Sequence, residues 1–332
     1  MTPRWILPSN NKKDIFLKHS LYIAFTFLWV FGCLFVADTP VAIDLMAQDS
    51  TTTEETAKQD EEAEKPKERA PVYLEKLTII LEGEEVLKQE GVHEWAGKAA
   101  KVITDYYPYF DKLLETEGFV PGKEMSVVFR KMDGVAFASG AQITISADWI
   151  RRSPGDLGMV AHELVHIIQR YPGGREGQGL PAWLMEGLTD YIRHVHFEPE
   201  VPMRPVNPNT ARPTDSYQIT GGFLMYIVDI HDKDFIKKLN EMGRKRTYSE
   251  DIFEKSTGKK LDDIWAEYVE KVVRPLHSRN QRIVPANQFP NVMKYKKEFE
   301  EHLATLKSQP AKPQPQQSPQ QSRRRNFRQR AQ

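Results

Sequence analysis

The chain has 332 residues, of which 40% are hydrophobic, and its 46 basic residues balance 46 acidic ones. This length allows one large domain or two ordinary ones, and zero net charge does not favour nucleic acid or a membrane surface as partner. Cys33 is the single cysteine, which excludes an intrachain disulfide and argues against cysteine-based zinc binding or thiol catalysis.

Residues 1–47 have the features of a targeting segment. Basic residues precede an unbroken run of apolar or small residues at 21–37, and Ala47 ends a stretch that suits a cleavage site. The pattern predicts a cleaved signal peptide or an uncleaved N-terminal membrane anchor. In both cases the protein is expected to be secreted or held in the cell envelope. Membrane contact is expected only if the segment stays uncleaved.

Two further segments lack the apolar periodicity of a folded domain. Residues 48–70 are predicted to form a disordered acidic linker, and residues 307–332 a disordered tail rich in Pro, Gln and Arg. The arginines at 323–330 predict at most a weak contact with anionic polymers, without specific nucleic-acid binding.

Residues 71–306 are predicted to form one folded α+β domain. Hydrophobic periodicity and β-branched runs give the expected elements. The strands are predicted at 72–81, 125–130, 135–139 and 142–146, and the helices at 92–114, 159–169, 180–194 and 216–230, with further helices over 234–273.

The helix at 159–169 carries the motif His-Glu-x-x-His. At about 3.6 residues per turn, His162 and His166 lie on one face, where two imidazoles can bind one Zn²⁺. Glu163 lies beside them and is placed to take a proton from a zinc-bound water.

A catalytic zinc site needs a third protein ligand. Glu186, on the next predicted helix, is the candidate, and Asp190 one turn later is predicted to orient a ligating imidazole. An ion pair between Asp190 and Arg193 is the competing prediction. His194 and His196 are alternative ligands, although their position favours surface histidines near a helix C-terminus.

The two-helix arrangement resembles the gluzincin metallopeptidases, and a closer resemblance is to the plant basic secretory protein (BSP) family. Four segments carry it in the family's order, and it continues through residues 217–223 to cover roughly residues 72–275. The segments are DGVAFASG at 133–140, ISADWI at 145–150, the His-Glu-x-x-His helix, and EGLTDYIR at 186–193.

The resemblance implies a secreted zinc peptidase with a zincin-like fold. A small mixed sheet would pack on the zinc helix, and a mainly helical C-terminal part would lie across the cleft. Tyr217 matches the position of the residue that donates a hydrogen bond to the oxyanion in related zinc peptidases. The alternative prediction is that Tyr217 is a buried aromatic residue of its helix. Residues 142–146 resemble the strand that pairs with an extended substrate in such peptidases. The alternative prediction is that they form an ordinary strand without a role in substrate binding. Since this chain is not basic overall, the family name implies nothing about charge-driven partners.

The sequence thus predicts a secreted or envelope-anchored zinc peptidase that hydrolyses peptide bonds of a peptide or protein by a Glu-activated zinc-bound water. One alternative is a non-hydrolytic protein that binds cell-wall or other polymers and retains the fold. Another is a zinc hydrolase of a different amide, such as a cell-wall crosslink. Glu163 favours hydrolysis because a binding protein needs no general base.

Overall fold

The computed structural model describes residues 4–6, 68–172, 179–215 and 217–308. Most of the predicted signal or anchor segment, most of the predicted linker, and the predicted tail from residue 309 onward lie outside these ranges. Those three predictions therefore stay predictions. Among the described residues, no helix combines the length and apolar character needed to cross a membrane.

A mixed sheet forms one layer of the fold. Its strands are β1 (Arg4–Ile6), β2 (Lys76–Leu81), β3 (Glu124–Arg130), β4 (Ala136–Ser139) and β5 (Gln142–Ser146). The strand order is β1-β2-β3-β5-β4, with β4 antiparallel to β5 and the other neighbours parallel. β1 was not predicted and lies within the predicted signal or anchor segment. The other four strands lie at or near their predicted positions.

Helices account for most of the remaining described residues. They are α1 (Glu84–Leu87), α2 (Val92–Leu113), α3 (Ala147–Arg152), α4 (Gly158–Gln169), α5 (Ala182–Ile192), α6 (Tyr217–Ile230), α7 (Phe235–Lys245), α8 (Asp251–Thr257), α9 (Leu261–Tyr268), α10 (Arg274–Ser278), α11 (Pro285–Gln288) and α12 (Pro290–Ser308). Two π-helical segments, Arg193–Phe197 and Val269–Val273, continue α5 and α9. The predicted α+β class, with a small mixed sheet and a mainly helical C-terminal part, is confirmed.

The apolar faces of α2 and α4 meet over the sheet. α2 packs on β2 and α4, and α4 also contacts β4 and β5. Trp95, Ile103 and Phe110 of α2 are buried, as their helical spacing predicts. α4 is buried along nearly its whole length, so its polar residues must find partners inside the protein.

Arg244 of α7 joins the C-terminal ends of α2 and α4. Its guanidinium donates to the carbonyl of Leu114, to Thr116 Oγ1 at 2.8 Å, and to the carbonyl of Ile168 at 2.8 Å. Helix ends leave carbonyl groups without partners inside the helix. A single half-buried cation therefore fixes the end of α4 relative to α2.

Helices α5 and α6 pack closely against each other, with glycines at their contact. A Cβ atom on Gly187 would lie 2.2 Å from Thr220 Cγ2, and one on Gly221 would lie 3.2 Å from the backbone nitrogen of Tyr191. A side chain at position 187 would clash with Thr220, and one at position 221 would force its neighbours to shift by a few tenths of an ångström. The close packing brings the first turn of α6 next to the part of α5 that carries Glu186.

Candidate metal centre

Three side chains from α4 and α5 converge on one point. Glu186 Oε2 lies 3.2 Å from His162 Nε2 and 3.3 Å from His166 Nε2. One ligand atom from each of the three residues lies within 4.8 Å of the others. The helical period of α4 stacks the two histidines, and α5 supplies the carboxylate from across the helix contact. The structure thus brings the three predicted metal ligands together.

The spacing of these atoms fits a metal ion. Donors bound at about 2.0–2.1 Å around a tetrahedral zinc ion lie about 3.3 Å from one another. The separations of Glu186 Oε2 from the two imidazole nitrogens, 3.2 and 3.3 Å, match that edge length. Two imidazole nitrogens and one carboxylate oxygen are also a donor set that zinc accepts, with one position open for water.

Asp190 holds the first histidine. Its Oδ1 atom lies 2.7 Å from His162 Nδ1, and it is 3% exposed. Burial alone would lower the pKa of His162, but the hydrogen bonds to Asp190 and Glu186 outweigh it and raise that pKa to about 9. For Glu186 the directions are reversed. Burial alone would raise its pKa, but its hydrogen bonds to His162 and His166 outweigh burial and lower that pKa to about 2. The competing ion pair does not form, because Arg193 pairs with Asp156 and Glu198 instead.

Glu163 lies next to the cluster and is 8% exposed. Burial raises the pKa of its carboxyl group, while His162, His166 and a hydrogen bond from the Ala138 backbone act in the opposite direction. The backbone donor belongs to β4, so the strand and the helix together position this carboxylate.

Gln169 and Thr189 also belong to the site, although neither was predicted from the sequence. Gln169 Oε1 lies 2.9 Å from His166 Nδ1, and Gln169 Nε2 donates to Thr189 Oγ1 at 3.1 Å. Both residues are fully buried, at 1% and 0% exposure. The sequence spacing could have indicated these two residues, because residues three apart on a helix share a face. Gln169 follows His166 by three, and Thr189 follows Glu186 by three.

Tyr217 lies over the cluster at the start of α6. Its ring stacks on His162 with 6.0 Å between centroids, and the residue is 55% exposed. The alternative prediction of a buried helix aromatic is therefore wrong. Its backbone has a φ of 49°, a left-handed conformation that is uncommon for a bulky residue. The nearby negative charge of Glu186 raises the pKa of its hydroxyl, so Tyr217 remains a hydrogen-bond donor at neutral pH.

The cluster lies in a cavity of about 780 Å³. β4 borders the cavity and forms the outer edge of the sheet, whereas β5 lies between β3 and β4. The prediction that residues 142–146 pair with a substrate is therefore wrong, because both edges of β5 are already bonded within the sheet. Besides the residues already described, the lining includes Val135, Phe137, Trp149, Met159, Arg204 and Pro205.

His194 and His196 are buried, so the favoured prediction that they are surface histidines near a helix C-terminus is wrong. They are 1% and 6% exposed and lie in the π-helical segment after α5. Neither belongs to the cluster of potential ligands. Burial lowers the pKa of His194 to about 4 and that of His196 to about 3. Tyr109 Oη lies 2.6 Å from His196 Nδ1 and can donate to the neutral ring.

The chain matches a known protein family. The sequence model of a family named BSP and described as "Peptidase of plants and bacteria" matches residues 86–268, more than half of the chain. The matched region contains every residue of the cluster described above. No curated protein and no solved structure matches the chain.

Proposed function

Because this chain belongs to the BSP family of peptidases of plants and bacteria, we propose that it is a zinc-dependent peptidase with a zincin-like fold. The observation that carries the proposal is the convergence of two imidazole nitrogens and one carboxylate oxygen, 3.2 and 3.3 Å apart, beside buried Glu163. This donor set suits zinc better than calcium or magnesium, which prefer all-oxygen ligands.

A zinc ion held by His162, His166 and Glu186 supplies a Lewis acid, which acidifies water and polarises a carbonyl group. Glu163 acts as the general base, taking a proton from the attacking water and passing it to the leaving amine. Burial raises the pKa of Glu163, which moves the group toward the range where it can both accept and release a proton near neutral pH.

The substrate pairs with the outer edge of β4, which no strand of the described residues covers. The Ser146 N–H bonds the Val135 carbonyl at 2.9 Å. The alternation of antiparallel bonds therefore directs the backbone groups of Ala136 and Ala138 away from β5. Both residues line the cavity. An extended peptide adds to such an edge by main-chain hydrogen bonds, here to the Ala136 backbone and the Ala138 carbonyl. The Ala138 N–H bonds Glu163 instead, so the peptide backbone lies beside that carboxylate.

Tyr217 donates a hydrogen bond to the oxygen on which negative charge develops. Its exposed hydroxyl group and its ring stacked on His162 support this role. A fixed donor at that oxygen stabilises the transition state more than the substrate.

The enzyme acts outside the cytoplasm, as a secreted or cell-envelope protein. The basic start and apolar run of residues 1–47 support this location. N-terminal sequencing of the protein recovered from its native host distinguishes the two forms. A cleaved signal predicts a start at or near residue 48, and an anchor predicts retention of residues 21–37.

Glu163→Gln tests the proposal. The purified full-length protein should contain one zinc ion per chain by elemental analysis and should cleave members of a peptide library. Glu163→Gln should keep the zinc and lose activity by roughly 10²–10⁴-fold, the usual contribution of a general base. Glu85→Gln, an exposed change on α1, serves as the control and should change neither property.

The outcomes separate the alternatives. A wild-type protein without stoichiometric zinc refutes the proposal. Zinc binding without cleavage of any peptide favours the polymer-binding alternative, unless a cell-wall amide is cleaved in the same assay, which favours the amide hydrolase. An active Glu163→Gln variant refutes the role given to Glu163.

A further inference from the structure

We propose that Gln169 and Thr189 form a hydrogen-bond relay that fixes which ring nitrogen of His166 faces the metal position. The relay begins at the backbone carbonyl of Met185, next to the third ligand. The inference rests on the proposed zinc function. Both residues act through His166, so their role is to position a ligand.

The Met185 carbonyl, at the fixed end of the relay, determines which atom donates each hydrogen bond. Thr189 Oγ1 lies 2.9 Å from the Met185 carbonyl oxygen. A carbonyl can only accept, so the hydroxyl hydrogen of Thr189 is committed to that bond. Toward its other neighbours, Thr189 Oγ1 is left as an acceptor.

The orientation of the Gln169 amide follows. Its nitrogen lies 3.1 Å from Thr189 Oγ1, and only an N–H group can bond an oxygen that has no hydrogen left to donate. The flipped amide would place two acceptors against each other. The hydrogen-bond network determines which end of a side-chain amide is nitrogen and which is oxygen, because the two atoms have nearly the same shape.

The amide orientation then determines the His166 tautomer. Gln169 Oε1 lies 2.9 Å from His166 Nδ1. Since this oxygen only accepts, Nδ1 must carry a hydrogen. Thr189 Oγ1 lies 3.5 Å from the same nitrogen and is also an acceptor there. His166 therefore presents Nε2 to Glu186 Oε2, 3.3 Å away, and Nε2 is the ring atom left to bind a metal.

The two histidine ligands are held by different chemistry. His162 faces the carboxylate of Asp190 at 2.7 Å, and a carboxylate accepts whichever oxygen it presents. His166 faces an amide, which can present either a donor or an acceptor. The amide needs Thr189 to select its orientation. Because Gln169 and Thr189 are buried, solvent water does not replace the missing partner.

The relay also links the histidine to the third ligand. The Met185 carbonyl and Glu186 belong to the same turn of α5, so the contact between α4 and α5 that brings Glu186 to the cluster also completes the relay. Assembly of the ligand set and selection of the His166 tautomer therefore occur together.

Substitutions at Thr189 test the relay in the full-length protein. Thr189→Val removes the hydroxyl group with little change of shape, and Thr189→Ser retains it. The matched control is Thr104→Val on α2, where the hydroxyl bonds the carbonyl four residues earlier at 2.8 Å, away from the cluster. Zinc affinity is measured by competition with a chromophoric chelator. The His166 tautomer is measured by long-range ¹H–¹⁵N NMR of the zinc-free protein at alkaline pH.

Thr189→Val should weaken zinc binding by about tenfold, the lower end for loss of a partner that orients a ligand, and should give a mixture of His166 tautomers. Thr189→Ser and Thr104→Val should bind zinc as the wild type does. The double variant Thr189→Val with Gln169→Glu should recover affinity, since a carboxylate needs no partner to select its orientation.

The relay is refuted if folded Thr189→Val binds zinc as tightly as the wild type does and still shows a single His166 tautomer with the hydrogen on Nδ1. If circular dichroism shows that Thr189→Val is unfolded, Gln169→Leu is used in its place and is judged by the same two measurements. A wild-type protein that binds no zinc refutes the proposed function instead, and the tautomer in the zinc-free protein still decides the relay.

Discussion

Asp190→Asn is the sharpest test of how the cluster holds a metal. The carboxylate lies 2.7 Å from His162 Nδ1 and is 3% exposed. Asparagine keeps an oxygen that can accept the same hydrogen bond, so the substitution removes the negative charge and leaves the shape almost unchanged. Any loss of zinc affinity therefore measures the negative charge together with the carboxylate's property of presenting only acceptors to His162.

The size of the loss follows from the type of bond. A hydrogen bond to a charged group contributes about 1.5–3 kcal/mol, and a neutral one about 0.5–1.5 kcal/mol. The difference of about 1–1.5 kcal/mol corresponds to a zinc Kd raised roughly tenfold, because about 1.4 kcal/mol is a factor of ten. This value lies at the low end of the 10- to 100-fold effects typical of partners that orient a ligand.

Competition with a chelator of known zinc affinity at fixed pH measures this change. Asp105→Asn, an exposed substitution on α2, is the control and should leave the Kd unchanged. Circular dichroism of the zinc-free variant checks that the fold is intact. A folded Asp190→Asn protein whose zinc Kd stays within about twofold of wild type shows that the Asp190 charge does not support the metal site.

Three further predictions address catalysis, pH and stability. Tyr217→Phe should lower kcat by roughly 10²–10³-fold with little change in KM, and steady-state kinetics with kcat unchanged would refute the donor role. Burial lowers the pKa of His196 to about 3, below about 6.5 in an unfolded chain. The unfolded state therefore takes up the proton first as pH falls, and by about pH 5 this costs about 2 kcal/mol of the free energy of unfolding. His196→Gln should remove that part of the loss in urea titrations at neutral and acid pH, and an unchanged pH dependence contradicts it. Arg244→Lys should lower the free energy of unfolding by about 2–4 kcal/mol through lost bonds to helix-end carbonyls. The exposed neighbour Lys245→Ala should change it by less than about 0.5 kcal/mol, and equal effects of the two variants rule out the helix-end role.

Regular periodicity made part of the candidate site predictable. His162 and His166 share a face of α4 because of the helical repeat, and the same repeat places Asp190 one turn after Glu186. The resemblance to the BSP family is confirmed by the family match. These inferences depend on residues close in sequence or on motifs in a fixed order.

Features that depend on how elements pack were not predictable. The order of β4 and β5 decides which strand is the sheet edge, and neither sequence segment encodes that order locally. The relay through Gln169 and Thr189 exists only where α4 meets α5. His196 was expected at the surface, but the π-helical segment changes the helical repeat there, and Phe299 of α12, a helix that was not predicted, packs against its ring.

The close contact between α5 and α6 has a consequence for the evolution of related chains. A Cβ atom on Gly187 would lie 2.2 Å from Thr220 Cγ2, so a larger residue at position 187 would push α6, and with it Tyr217, away from Glu186. Relatives that carry alanine or serine at the position of Gly187 should therefore carry glycine or alanine at that of Thr220. The sizes of the two positions are expected to covary, even though neither residue lines the cavity around the cluster.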